Sequence, residues 1–281
     1  MENNEAFAGK TVIITGGSEG VGAATARRFA RAGANLLLVA RRKKNLEVIA
    51  DELRAVTKVS VMAVDVSDEG AVTSILKKAA FDFEKIHFLV NNAGLHARGP
   101  VATVAPEELA RMVDVNLKAP ILLSRLAIPY IQEAGGGAII NVASLAGRTP
   151  VPNAATYSAT KFGLRAFTFA LAEELSDGKI KIAAVSPGPI DTGFIMENID
   201  NVADITFSQP LSTADEVAEE IVKLCLNDKR ERSMPPISGL LTTLSYLFPQ
   251  LGRALQPMLI RRGRRVKREW RAKMRAAEKD E

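Results

Sequence analysis

Apolar runs of strand length alternate along this chain with longer stretches whose apolar residues recur at helical spacing. "KTVIITG" (10–16) leads into "GVGAATARRFARAG" (20–33), an Ala-rich helical face that ends at Gly33, a natural stop just past a helix. There follow "NLLLVA" (35–40), a charged helix through about Val56, "VSVMAVDV" (59–66), and a helix from about Glu69 to Phe83. "IHFLVNNAG" (86–94), "GAIINVAS" (137–144) and "IKIAAVSPG" (180–188) repeat the theme. Each strand run is nearly continuous in Val, Ile, Leu and Ala instead of alternating with polar residues. Strands covered on both faces read this way, so the pattern predicts a parallel sheet between helical layers. The regular alternation predicts an α/β, doubly wound parallel sheet, with ligands beyond the carboxyl ends of its strands. No repeat or low-complexity linker interrupts this pattern, and residues 1–232 read as one domain.

The pattern changes after that point, and 233–281 reads as a C-terminal helical extension. "SMPPISGLLTTLSYLFPQLG" (233–252) carries no charge, and the following segment, from Arg253 to the end, holds eleven Lys/Arg against four Asp/Glu. The preceding 252 residues carry 26 basic and 28 acidic groups, so a tail of +7 on a body of −2 makes up the formal +5 of the chain. The uncharged run has about the twenty residues of a membrane span. Pro235, Pro236, Pro249 and several Ser/Thr interrupt it, which argues against spanning. Its apolar positions 240, 241, 244, 247, 248, 251, 255, 258 and 259 recur at steps of three and four. They mark one face of a helix, or of two short helices broken near Pro249. An apolar face followed by a basic cluster has the composition of a helix lying in an anionic membrane interface, here through 240–275. The alternative is a face that caps the domain's own core or a partner subunit, and composition does not separate the two. Nucleic acid is not expected, since Tyr246 and Trp270 offer little aromatic interleaving.

Composition narrows the chemistry. One cysteine, Cys225, excludes an internal disulfide framework and fits a reducing, cytoplasmic setting. Two histidines, His87 and His96, have no ligand spacing, so no metal is expected. His96 reads as a solvated loop residue and Cys225 as core. The N-terminus "MENNEAFAGK" lacks the basic and apolar regions of a signal peptide.

The first strand runs into "TGGSEGVG" (15–22), with glycines at 16, 20 and 22. A glycine turn between strand and helix lets the backbone approach a pyrophosphate, which the helix N-terminus favours. The spacing is not Gly-x-Gly-x-x-Gly, but the context points to a dinucleotide and a Rossmann fold. At the end of the second strand, where NAD-binding chains place Asp or Glu for the ribose 2′-hydroxyl, stands Ala40, followed by Arg41 and Arg42. Arg41, helped by Ser18, suits a 2′-phosphate and predicts NADP(H). Further on, Ser144 ends a predicted strand, and Tyr157 and Lys161 lie one helical turn apart.

Together with "NNAG" (91–94), "VNLKAP" (115–120) and "SPGPIDT" (186–192), the glycine turn and the Ser144, Tyr157, Lys161 spacing closely resemble the short-chain dehydrogenase/reductase family over about residues 9–230. The resemblance implies that Tyr157 is the general acid/base and that Lys161 stabilises its anion. Ser144 then holds the substrate oxygen, and Asn116 holds a water in a proton relay. It also implies cofactor contacts at Gly16, Ser18, Gly20, Gly22, Arg41, Asp65, Val66, Asn91, Gly94, Tyr157, Lys161, Pro187, Gly188 and Thr192. The family's usual ending, a last strand and a short Gly-rich segment that helps build a tetramer, is not evident here, so a homodimer is expected. The segment after Thr192 covers the substrate in this family, and Phe194, Ile195, Met196, Ile205 and Phe207 suggest an apolar lid. The expected activity is NADPH-dependent reduction of a lipophilic ketone. The alternatives are a soluble 3-oxoacyl-thioester reductase and, in a different class, a non-catalytic NADP(H)-binding scaffold or sensor.

Overall fold

The computed structural model describes residues 4–193 and 199–280. Ahead of the sheet lies α1 (Asn4–Phe7). The alternating core comprises β1 (Thr11–Thr15), α2 (Gly20–Arg31), β2 (Asn35–Ala40), α3 (Lys43–Arg54), β3 (Val59–Ala63), α4 (Glu69–Phe83) and β4 (Phe88–Asn91). It continues through α5 (Pro106–Val113), α6 (Ala119–Glu133), β5 (Gly137–Val142), α7 (Ala155–Glu174) and β6 (Ile180–Pro187). A short parallel pair, β7 (Ile190–Asp191) and β8 (Ser212–Thr213), precedes α8 (Ala214–Leu224) and β9 (Glu231–Met234). The chain ends in α9 (Pro236–Leu247) and α10 (Pro249–Asp280).

Seven strands form one sheet in the order β3-β2-β1-β4-β5-β6-β9, with every pairing parallel. The order reverses between β1 and β4, so the crevice for a ligand opens at the carboxyl ends of those strands. The continuous apolar runs are explained by two cores, one on each face. Val12, Ile14, Leu36, Leu38, Val90 and Ile140 join the α2, α3 and α8 side. Ile13, Leu37, Val39, Leu89, Ile139 and Ile182 join the α4, α6 and α7 side. Successive residues of a strand point to opposite faces, so a strand with a core on both sides has no polar position to show.

The sequence pattern shows no strand after α8, yet β9 is there. "ERSM" is only half-buried and escapes an apolar criterion because it lies at the sheet's edge. A buried ion cluster anchors it: the Glu231 carboxylate accepts from Arg148, Arg165 and Ser186. α9 therefore continues from the last strand of the sheet with Pro235 alone between them.

Candidate active site

The turn after β1 is built for close approach. Gly16 and Gly20 take positive φ values of +66° and +52°, where a side chain is strained. A Cβ on Gly22 would stand 2.0 Å from the Gly16 carbonyl oxygen. Asn92 braces the turn from β4, its amide donating to the Thr15 and Gly16 carbonyls at 3.0 and 3.1 Å. α2 begins at Gly20 with no side chain capping it, so its first amides remain available for an anion.

Beyond this turn lies a cleft lined by Gly16, Ser18, Ala40, Arg41, Arg42, Asp65, Val66 and Gly94 among others. No carboxylate ends β2. Burial pushes the Asp65 carboxyl up. The Ser67 amide and hydroxyl, at 3.0 and 2.7 Å, and Arg111 at 2.8 Å outweigh it and hold the pKa below its ordinary value. A donor-rich turn and free helix amides fit the pyrophosphate of a nicotinamide dinucleotide. Thr192 lies over the same turn, its Cγ2 being 3.5 Å from where a Gly20 Cβ would be. Asn91 differs from expectation: its side chain is buried in the sheet, donating to Asn141 and Ser124 at 2.8 and 3.2 Å, and is not among the cleft's lining residues. It braces the strand end from inside.

Ser144 follows β5, and its Oγ accepts from the Ala146 amide at 3.1 Å and reaches the Pro187 carbonyl at 3.4 Å. Tyr157 follows on α7, and Ser144 lies close enough to draw the pKa of its phenol down. One turn on, Lys161 is buried, and its Nζ donates to the Val142 carbonyl at 2.7 Å. Burial lowers its pKa to about 8. Its Nζ is 5.8 Å from the centre of the Tyr157 ring. Asn116 lies in a π-turn, Asp114–Lys118, between α5 and α6, a local widening common at functional sites. Its side chain is held by the Leu95 amide and carbonyl, both at 2.8 Å, and donates to Thr160 Oγ1 at 3.3 Å. Gly188 donates to the Met234 carbonyl at 2.8 Å, which joins this end of β6 to the start of the extension. Ser144, Tyr157, Lys161 and Asn116 thus gather at the carboxyl end of the sheet.

Two neighbours of the phenol had no signal beyond coming just after "NNAG" in the sequence. His96 is not a solvated loop residue: its ring stacks on Tyr157, centroids 4.2 Å apart and planes 13° from parallel. Burial, then the charges of Arg98 and Lys161, lower its pKa to about 3, so the imidazole is neutral. Burial raises the phenol's pKa, while Ser144 and the Arg98 charge pull it down. Arg98 also acts on the phenol as a cation, a neighbour the sequence did not single out.

Phe194, Ile195 and Met196, the first part of the expected lid, lie outside the described residues. Phe207 is buried, but in a cluster with Ile199, Val202, Leu211, Val266 and Trp270, so it faces the extension. No three His, Cys, Asp or Glu are grouped to hold a metal among the described residues.

The short chain dehydrogenase family model matches residues 10–203, more than half of the chain. Sulfoacetaldehyde reductase 2 of Chromohalobacter salexigens is 37% identical over 187 residues, covering 66% of this chain and 74% of the relative. An NADP-dependent 3-hydroxy acid dehydrogenase of Schizosaccharomyces pombe is 35% identical over 225 residues, covering 76% and 86%. Among solved structures, a 3-ketoacyl-(acyl-carrier-protein) reductase of Brucella melitensis complexed with NADH superposes with a TM-score of 0.72 at 32% identity, over 80% of this chain and 96% of the other. The chain belongs to the short-chain dehydrogenase family and is an oxidoreductase acting on alcohol and carbonyl groups.

Proposed function

We propose that this protein reduces a lipophilic ketone with NADPH, and that Ser144, Tyr157, Lys161 and Asn116 are its catalytic residues. The observation that carries the reading is the Lys161 ammonium 5.8 Å from the Tyr157 ring, one turn along the same helix, with Ser144 drawing the phenol's pKa down. When bound, the nicotinamide supplies the hydride. Ser144 holds the carbonyl oxygen against the phenol, and Tyr157 delivers the proton to it. Burial keeps that phenol protonated near neutrality, which favours its use as an acid and hence the direction of reduction. The Lys161 ammonium steadies the phenolate left behind, and Asn116 holds a water that returns the proton. The preference for NADPH rests on Arg41 and Arg42 in the cleft wall and on the missing carboxylate at the end of β2. The same reading takes residues 1–232 as the catalytic domain, a homodimer as the working assembly and the cytoplasm as its compartment.

The test is a titration with NADPH and NADH, then a carbonyl panel run with the preferred cofactor and with Tyr157→Phe as control. Tighter NADPH binding, weakened by Arg41→Ala, with ketone turnover that Tyr157→Phe abolishes, is the expected result. NADH preference overturns the Arg41 argument, and cofactor binding without turnover selects the scaffold. A soluble 3-oxoacyl-thioester reductase is the second reading, favoured by the Brucella structure's likeness. The panel therefore includes 3-oxoacyl thioesters. It also includes short aldehydes bearing an acid group, because Arg98 stands beside Tyr157.

A further inference from the structure

α9 is amphipathic with its polarity reversed. Its buried residues are Ser238, Gly239 and Thr242, a small polar face set against Arg148, which donates to the Gly239 carbonyl at 2.8 Å and to Thr243 at 3.1 Å. The apolar residues point outward: Ile237 is 60% exposed, Leu240 56%, Leu241 54%, Leu247 62% and Phe248 57%. Leu255 and Met258, also exposed, extend the patch onto the first turns of α10. Exposed apolar surface this contiguous marks an interaction site. The reading in which this face caps the domain's own core fails on these exposures.

The residues just past the patch identify its partner. Leu255, Met258, Arg262 and Arg265 recur at steps of three and four, so the apolar stripe becomes a basic stripe on the same side of α10, with Arg261 beside it. All three arginines are exposed. The opposite side of α10 is fixed to the body. The buried Lys267 ammonium donates to the Val202 carbonyl at 2.6 Å and lies 3.5 Å from the Asp204 carboxylate. Gly263 is packed so that a Cβ would stand 1.8 Å from the Asp204 carbonyl oxygen. The apolar and basic stripes are therefore presented on a platform already docked to the fold.

We propose that the outer face of α9 and the first half of α10 is a docking surface for an anionic lipid bilayer. A second copy of the chain fits less well, because a two-fold contact sets this face against itself, and from Ile237 to Arg265 it has no acidic residue to meet Arg261, Arg262 and Arg265. A bilayer accepts the apolar residues between acyl chains while its headgroups take the arginines. No helix among the described residues is long and apolar enough to cross a membrane, so the contact lies along the surface. The Met234 carbonyl, just before α9, is bonded to Gly188, so the docking surface begins at the same end of the sheet as the catalytic group. This goes beyond the catalytic reading and does not depend on it.

The test is co-sedimentation of the full chain with vesicles of phosphatidylcholine alone and with phosphatidylglycerol added. The wild-type chain is expected to pellet with the anionic vesicles and to be released by salt. Arg262→Gln with Arg265→Gln weakens binding roughly thirtyfold, at about one kcal/mol per charge. Leu240→Glu with Leu247→Glu abolishes it, with unchanged melting temperature and unchanged turnover of a water-soluble carbonyl. Wild-type protein left in the supernatant, or equal pelleting of the Leu240→Glu/Leu247→Glu chain, overturns the proposal. So does self-association without lipid that the same pair of substitutions dissolves, because the occupant is then a second copy. Vesicle binding by a chain that turns over no carbonyl leaves this proposal standing and removes the catalytic one.

Discussion

Replacing Glu231 by Gln keeps the shape of a side chain that is only 8% exposed and removes its charge. The carboxylate faces Arg148 at 2.9 Å, Arg165 at 3.0 Å and the Ser186 hydroxyl at 2.7 Å. Breaking a buried ion pair from one side costs about 3–5 kcal/mol, because the partner charge stays desolvated. The Arg148 and Arg165 side chains retain 17% and 28% of their exposure, so both guanidiniums recover some hydration and the lower end, about 3 kcal/mol, applies. With a urea slope of about 3 kcal/mol per molar for a chain of this size, the midpoint falls by about 1 M at neutral pH. Burial raises the Glu231 pKa, but Arg165, Ser186 and Arg148 outweigh it and the net shift is downward. A depressed folded pKa gives stability that is present above the unfolded value and lost as pH falls through the folded one. The gap between wild type and Glu231→Gln should therefore be widest near neutrality and close in the acid range. Urea denaturation followed by circular dichroism at neutral and acid pH measures both quantities. Equal midpoints at neutrality, or a gap that persists unchanged into acid, would refute the assignment of β9's stability to this carboxylate.

Other perturbations reach the site directly. Gly22→Ala places a methyl against the Gly16 carbonyl and should abolish NADPH binding in a fluorescence titration, whereas binding within twofold of wild type, roughly 0.4 kcal/mol, contradicts the close packing of the turn. Burial lowers the Lys161 pKa to about 8, so on the proposed role of its ammonium kcat/KM for reduction should fall as pH rises past that value. A profile level across that range would show that the ammonium is dispensable. Lys267→Met strips the Val202 carbonyl of its donor, a loss of about 1–3 kcal/mol, and should speed hydrogen exchange across 199–208. It should raise KM more than it lowers kcat, and unchanged exchange would detach α10 from that segment.

The fold was legible because its strands are buried on both faces, and a run such as "NLLLVA" leaves few other arrangements. Ser144, Tyr157, Lys161 and Asn116 came from the resemblance of several ordered motifs to a known family, and the fold gathers them at the carboxyl end of the sheet. What lay across the chain was not. Arg98 and His96 reach Tyr157 from a loop whose path no periodicity records, and Arg111 meets Asp65 from a helix 46 residues away. β9 is held by one carboxylate and two arginines, and so has no apolar pattern to read. α9 shows the limit most clearly. Periods of three and four reveal that a helix has two faces, but they do not say which face is wet. The usual assignment puts the leucines inside. Here Arg148 offers Gly239 and Thr243 better partners than a leucine, so the polar face docks and the leucines turn outward. An apolar face left in water by such anchoring carries a standing cost of about 25 cal/mol for every Å² exposed. A chain that keeps both the anchor and the leucines must recover that cost elsewhere, which is why the surface calls for an apolar partner.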